Sequence, residues 1–349
     1  MKKIKVGVLG ATGMVGQRFI RLLENHPWFQ LTELAASERS SGKSYEEAVG
    51  DRWKIGGTIP ESARDMEVKD CKPNLDCRIV FSALDAGVAG PLEEDFAGSG
   101  YIVSSNSKNH RMDPDVPLLV PEINADHIEA VRRQKYGDGY IITNPNCTTT
   151  GLVIPLKPIM DNFGLKKVFV TTMQALSGAG FRGFELDIQD NVIPFIGGEE
   201  PKVEAEPLKI LGKFSNGCFV NADMKISSHC NRVNVMDGHL ETVNVELEKK
   251  PEIDELIKAL REFNPLRKLD LPSAPYPPII VREEEDRPQP KYDRDTGSGL
   301  SRGMPAVVGR IRKCPILDYK FVVLSHNTIR GAAGASILNA ELLVKKGFV

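Results

Sequence analysis

The chain has little that would tie it to a membrane, a metal or a nucleic acid. Its 349 residues contain no apolar run approaching the ~18 residues of a membrane span, so no spanning helix and no membrane partner are expected. The first residues, Met1 to Gly10, are too short as an apolar stretch for a signal peptide and are broken by Lys5, which points to the cytoplasm. The six cysteines stand apart at 71, 77, 147, 218, 230 and 314, with no CxxC, so no metal site is expected and the thiols are read as reduced. Neither sign of charge is in excess. There are 45 basic and 47 acidic residues for a net charge of -2, which gives no basic surplus for nucleic acid. The longest acidic run, Glu283 to Asp286, reads as a solvated loop, and no internal repeat or low-complexity segment occurs.

What is present is an ordinary globular balance, 41% hydrophobic and 26% charged, in a chain long enough for two domains. Residues 4–9 form a short apolar strand, and 14–24 have helical spacing with Phe19, Leu22 and Leu23 on one face, stopped by His26-Pro27. Further strands are expected at 31–36, 78–84, 101–105 and 140–143, alternating with helical stretches in the manner of a doubly wound parallel sheet. After Asn144-Pro145-Asn146-Cys147 the pattern changes. A helix over 148–163, expected to pack on the preceding sheet, is followed by strands at 166–174, 219–228, 231–237 and 240–248, an antiparallel or mixed sheet. A helix over 251–263, long loops over 264–304, strands at 305–312 and 319–325, and an Ala/Leu-rich helix over 331–346 complete the chain.

Gly10-Ala11-Thr12-Gly13-Met14-Val15-Gly16 follows the first strand and opens the first helix. This G-x-x-G-x-x-G variant suits a dinucleotide, because glycines permit a tight turn and bring backbone N–H groups close to a pyrophosphate at the helix start. The second strand ends in Ser37-Glu38-Arg39-Ser40. Ser37, Arg39 and Ser40 suit a 2′-phosphate, hence NADP, although Glu38 could serve a ribose hydroxyl. Ser82 and Leu84, after the third strand, are placed to line the same crevice.

Cys147 stands out on its own position. It follows a strand and begins a helix, where the positive end of the dipole is expected to lower a thiol pKa. A thiolate beside a nicotinamide implies carbonyl attack, hydride transfer and a thioester, which needs an acid/base nearby. His26 and His127 read as surface residues. His239, His229, His110 and His326 compete for the role, with His239 favoured by its turn after Asp237-Gly238.

The chain resembles the aspartate-β-semialdehyde dehydrogenase family in its archaeal and fungal branch. The resemblance rests on Gly10 to Gly16, Asn144 to Cys147, Gln174 to Gly180, Glu206 to Lys209, Asn231-Arg232 with Gly238-His239, and His326 to Gly334, and it covers essentially the whole chain. It implies a Rossmann-like NADP domain plus an α+β catalytic domain of glyceraldehyde-3-phosphate dehydrogenase type. The expected domains are 1–146, completed by the terminal helix of 326–349, and 147–325, which also carries dimerisation. It implies Cys147 as acyl-thioester nucleophile, His239 as base and acid, and Gln174 orienting the substrate. It further implies Arg232 clamping the substrate carboxylate, Glu206 on its amino group, Lys209, Arg111 and Asn106 on phosphate, and Ser177, Gly178 and Asn327 near the nicotinamide. The reaction implied interconverts 4-aspartyl phosphate and aspartate semialdehyde with NADP in a homodimer or homotetramer, a step toward lysine, threonine and methionine.

Plainer readings stand beside these. Glu206 and Lys209, three apart, could form a helix-surface ion pair. Gln174 could satisfy backbone groups, and Arg111 could be a loop cation. Malonyl-CoA (or succinyl-CoA) reductases resemble the chain over its full length and use the same cysteine logic. A silent NADP-binding paralogue is the reading from another class.

Overall fold

The computed structural model describes residues 2–349. β1 (Ile4–Leu9), β2 (Phe29–Ala36), β3 (Val68–Asp70), β4 (Ile79–Ser82), β5 (Ile102–Ser105) and β6 (Tyr140–Thr143) form one sheet in the order β3-β2-β1-β4-β5-β6. Every pairing in it is parallel. β4, β5 and the edge strand β6 are buried along their whole length, as strands covered on both faces must be. The order reverses between β1 and β4, which opens a crevice at their C-terminal ends. The Met14–Leu23 helix covers one face, where Phe19 stacks on Phe81 at 4.9 Å.

β7 (Leu165–Gln174), a hairpin of β8 (Lys213–Ser215) and β9 (Cys218–Val220), β10 (Lys225–Arg232), β11 (His239–Leu247), β12 (Ile279–Val281), β13 (Ala306–Lys313) and β14 (Tyr319–Ser325) follow. Apart from the hairpin they form a mixed sheet, β10-β7-β11-β14-β13-β12. The Cys147–Phe163 helix packs on this second sheet rather than on the preceding one, in a core of Leu152, Val153, Val170 and Val243. The other face of β7 and β10 leaves Phe169 exposed against the edge of His229. The Gly334–Lys345 helix returns to the first sheet, where Ile337, Leu338 and Leu342 share a core with Val6, Ile102 and Ile142.

Two expected strands, 219–228 and 231–237, are arranged differently. β10 runs unbroken through Ser228–Asn231, parallel to β7, because Ser228 and Cys230 alternate inward and continue the strand. The two surface histidines are corrections. His26 is fully buried, with Nε2 2.9 Å from Glu341 Oε1 and Nδ1 accepting from the amides of Trp28 and Phe29. His127 is buried beside Asn124 Nδ2 and the Phe219 ring.

Candidate active site

A cleft of about 1310 Å³ opens at the crevice between β1 and β4. Gly10 has φ +75°, and a Cβ there would lie 2.6 Å from Ala83 O; a Cβ on Gly16 would lie 2.2 Å from Gly10 O. These two glycines therefore let the turn and the helix close on each other. Gly13 caps the helix without a side chain and, with Thr12, Met14 and Val15, lines the cleft. Tyr45 supports the turn by donating to Ala11 O at 3.0 Å. The bare helix start and tight turn fit a dinucleotide pyrophosphate. Ser37, Glu38 and Arg39 line the far end with Asp70, Cys71 and Lys72, and Leu84 lines the middle. Asp70 ends β3 and Cys71 and Lys72 follow it; a strand of three residues carries no periodicity to mark them in the sequence. Three expected cofactor residues do not reach the cleft. Gly16 packs behind the turn. Ser40 is buried in a turn closed by its N–H to Ser37 O. Ser82 is buried, and its hydroxyl donates to Glu93 Oε1 at 2.6 Å. Ser82 acts through its carbonyl, which accepts from the Asn106 backbone and side-chain N–H groups.

A second space of about 290 Å³ adjoins the first, sharing Val15, Leu84, Asn106, Ser177 and Gly178 as lining, and reaches Cys147, Arg111 and Asn327. Cys147 is the first residue of its helix, and Asn146 is the cap, its Oδ1 accepting from the amides of Thr148 and Thr149. Cys147 Sγ lies 3.2 Å from His239 Nε2. His239 is the first residue of β11 and fully buried, and its Nδ1 accepts from the Ala175 N–H at 3.0 Å. The neutral ring therefore carries its proton on Nε2, facing the sulfur. A proton on Nδ1 would oppose the Ala175 N–H. Burial, followed by Arg232, brings the His239 pKa down to about 3.

The thiol corrects an expectation. Burial pushes Cys147 up to about 12, with Glu199 adding to the rise, while Lys202, Arg232 and Arg111 pull the other way. The helix start does not prevail because Asn146 has already taken the nearest helical amides and the surroundings are dry.

Gly178 sits directly over two expected site residues. A Cβ there would lie 2.8 Å from Arg232 Nη1 and 3.0 Å from His239 Cε1. Arg232 is buried beneath this loop and donates to Ala175 O at 2.6 Å. Gln174 is buried too, its Nε2 donating to Thr172 Oγ1 at 3.3 Å. Neither lines the cleft, because the Leu176–Glu185 turns cover them. Asn327 ties this loop to the turn before His239, donating to Ser177 Oγ and accepting from the Gly238 N–H, both at 2.8 Å.

The Glu200–Ile210 helix carries the largest revision. Glu206 and Lys209 are buried and do not line the cleft. Glu206 accepts from Arg111 Nη1 at 2.8 Å and from the Asn146 N–H at 2.7 Å, so it pairs with Arg111 and not with Lys209. Lys209 Nζ donates to three carbonyls, those of Arg111, Asp113 and Val116, each at 2.8 Å. All three ammonium protons are thus engaged. The same E-x-x-K spacing occurs seven residues earlier, at Glu199 and Lys202, and that pair does line the cleft beside Cys147. Glu199 accepts from Asn146 Nδ2 at 2.8 Å and from Lys202 Nζ at 2.5 Å. Burial opposes the Glu199 charge, but Lys202 and Asn146 outweigh it and hold the carboxyl below its ordinary value. The duplicated spacing makes this pair as eligible in the sequence as Glu206 and Lys209, without saying which faces the cleft. Lys108 also lines the cleft and is exposed.

The rival histidines stand elsewhere. His229 is exposed on the outer sheet face, and His110 Nδ1 pairs with Asp113 at 2.8 Å. His326 lies near Asp295, 3.8 Å away. Among the described residues no cluster of His, Cys, Asp and Glu could hold a metal, and no helix is long and apolar enough to cross a membrane.

Comparison with known proteins agrees with this geometry. Residues 5–131 match the family model for the semialdehyde dehydrogenase NAD-binding domain, and residues 156–330 match that for the semialdehyde dehydrogenase dimerisation domain. An aspartate-semialdehyde dehydrogenase of Archaeoglobus fulgidus is 53% identical over 99% of this chain and 100% of its own. One from Saccharomyces cerevisiae is 46% identical, over 100% of this chain and 99% of its own. A crystal structure of aspartate-semialdehyde dehydrogenase with NADP from Candida albicans superposes with a TM-score of 0.91 at 46% identity, covering 100% of both chains. With a dinucleotide cleft leading to a cysteine–histidine pair, and full-length relatives of one name, the chain belongs to the aspartate-semialdehyde dehydrogenase family.

Proposed function

We propose that the protein is an NADP-dependent aspartate-semialdehyde dehydrogenase that reduces 4-aspartyl phosphate to aspartate 4-semialdehyde, reversibly, through an acyl-thioester on Cys147. The observation that carries the substrate is the Glu199–Lys202 pair in the cleft of Cys147. A carboxylate suits a substrate ammonium and a cation suits its phosphate. A malonyl or succinyl thioester has no amine and would leave Glu199 without a substrate partner. The cofactor reading rests on the glycine turn and on Arg39 at the adenosine end, where a guanidinium suits a 2′-phosphate.

In this reading Cys147 Sγ attacks the acyl carbon as its thiol proton passes to a phosphoryl oxygen of the substrate, the carbon–oxygen bond to phosphate breaks, and hydrogen phosphate leaves toward Arg111 and Lys202. NADPH, when bound, supplies the hydride that reduces the thioester. His239 holds the charge that develops on the carbonyl oxygen by donating from Nε2. Collapse then breaks the carbon–sulfur bond and returns the thiolate and the aldehyde. The Ala175 hydrogen bond favours His239 as donor and opposes it as base. Arg232 clamps the substrate carboxylate, with Gln174 beside it, once the Gly178 loop moves off them. Asn106 shapes the anion end.

The division we propose is residues 1–146 with the terminal segment 326–349 as the NADP domain and residues 147–325 as the catalytic and dimerisation domain. A homo-oligomer joined through the open face of the second sheet, dimer or tetramer, and a cytoplasmic location complete the reading. Purified protein offered NADPH with either 4-aspartyl phosphate or malonyl-CoA tests it. Turnover with the first alone is the expected result, and turnover with malonyl-CoA alone would refute the amino-acid substrate.

A further inference from the structure

Lys209 is a buried cation that the reaction above does not use. Its ammonium gathers the carbonyls of Arg111, Asp113 and Val116, and it stands 4.3 Å from the Phe219 ring centroid. Those carbonyls belong to one loop, the connection that follows β5 and carries Asn106 and Arg111. One turn earlier on the same helix, Glu206 holds the Arg111 guanidinium with one oxygen and the Asn146 amide with the other. Asn146 in turn caps the helix that begins at Cys147. A single carboxylate thus joins the anion-binding loop to the start of the nucleophile's helix, and a single ammonium fixes that loop's backbone.

We propose that Glu206 and Lys209 form a clamp that positions Arg111 against Cys147, and that Lys209 is a positioning residue which never touches substrate. The proposal rests on the reading of Arg111 as a phosphate ligand. Its physical basis is donor exhaustion. An ammonium has three protons, and a fourth partner could be taken only by releasing a buried carbonyl, at the cost of an unsatisfied acceptor. The guanidinium of Arg111, by contrast, keeps donors after its bonds to Glu206 and to Asn106 O, and it still lines the cleft. Lys202 occupies the place on the cleft wall that a phosphate ligand needs, two helical turns away.

Two measurements test the clamp. In the first, amide hydrogen exchange over residues 106–120 is compared in wild type, Lys209→Met and Lys202→Met. Lys209→Met should speed exchange in that segment by about tenfold, the factor expected for losing a charge-assisted bond, while Lys202→Met leaves it unchanged. Lys209→Met should also raise the KM for 4-aspartyl phosphate by about tenfold with kcat and the KM for NADPH held within about twofold. Unchanged exchange in Lys209→Met would overturn the proposal. The second measurement needs no variant and decides the matter if Lys209→Met does not fold. Wild-type lysines are acylated with and without inorganic phosphate and mapped by mass spectrometry. Lys209 should stay unlabelled in both, and Lys202 should be labelled and then protected by phosphate. Labelling of Lys209 that phosphate suppresses would make it a ligand and end the clamp. Absence of turnover by the wild type would refute the proposed function, while the exchange data would still judge the clamp.

Discussion

Cys147 carries a thiol that its surroundings hold in the protonated form, with His239 Nε2 at 3.2 Å and three cations within electrostatic reach. The thiolate is therefore expected to form with the cations and the Nε2–H donor in place. Removing the nucleophile removes the covalent path. Cys147→Ala should lower turnover by several orders of magnitude while NADPH binding, followed by fluorescence titration, stays within about twofold. Arg39 is exposed and lines the cleft beside Ser37 and Glu38. Arg39→Ala should weaken NADPH by about 10- to 100-fold, the worth of one or two charge-assisted bonds, and NADH far less. Equal losses for both cofactors would remove Arg39 from the 2′-phosphate. At this scale the sequence was most readable where a residue's position dictates its role. The glycine turn and Cys147 stand at strand and helix boundaries, whereas His239 is one of four competing histidines until the resemblance singles it out. Glu206 and Lys209 could not be told from Glu199 and Lys202, because identical spacing two turns apart on one helix gives no sign of which pair faces the cleft.

Elements show why. The Glu200–Ile210 helix has no strong apolar face in its sequence, and Pro201 and Pro207 interrupt any simple pattern. Its orientation is fixed by Val203 and Ile210 in the second core and by Glu200 and Glu204, which accept from the Cys230 and Ser228 amides of β10. β10 is hidden in the sequence for a similar reason: Arg232 and Ser228 are polar yet inward, which conceals the period of two. The Ile329–Ala333 π-helical turn brings Gly331 so close to Cys147 that a Cβ on it would lie 2.6 Å from the cysteine Cβ. Arg330 within it is fully buried and makes two bonds to Glu122, at 2.8 and 2.7 Å. Glu122→Gln would leave a buried guanidinium short of its counter-charge, at a cost of about 3–5 kcal/mol. Urea unfolding should show that loss, and Cys147 should react differently with iodoacetamide because the turn against it is released. An unchanged midpoint would mean the pair contributes nothing to holding the turn.

The whole molecule joins two sheets, and two of its buried histidines, His239 and His326, stand at ends of strands of the second. His239 and His326 are both brought down to about 3, in each case chiefly by burial. In the unfolded chain each would titrate near its ordinary value of 6.5. Between those limits protons bind the unfolded chain preferentially, so stability present above pH 6.5 is lost progressively as the pH falls toward 3. The loss from pH 7 to 5 should be on the order of 1–2 kcal/mol per histidine, and His239→Asn should flatten the slope. An unaltered slope in that variant would assign the acid sensitivity elsewhere. The two-layer plan, a parallel sheet followed by a mixed one, was legible from the change in pattern at Cys147. The burial of His26 was not, because its partner Glu341 lies 315 residues away.

The central claim is the acyl-thioester on Cys147, and mass spectrometry of the protein mixed with 4-aspartyl phosphate in the absence of NADPH tests it most directly. The account predicts an aspartyl adduct confined to the peptide containing Cys147, discharged by hydroxylamine and absent in Cys147→Ala. An adduct on another cysteine, or none while NADPH-dependent turnover proceeds, would contradict it.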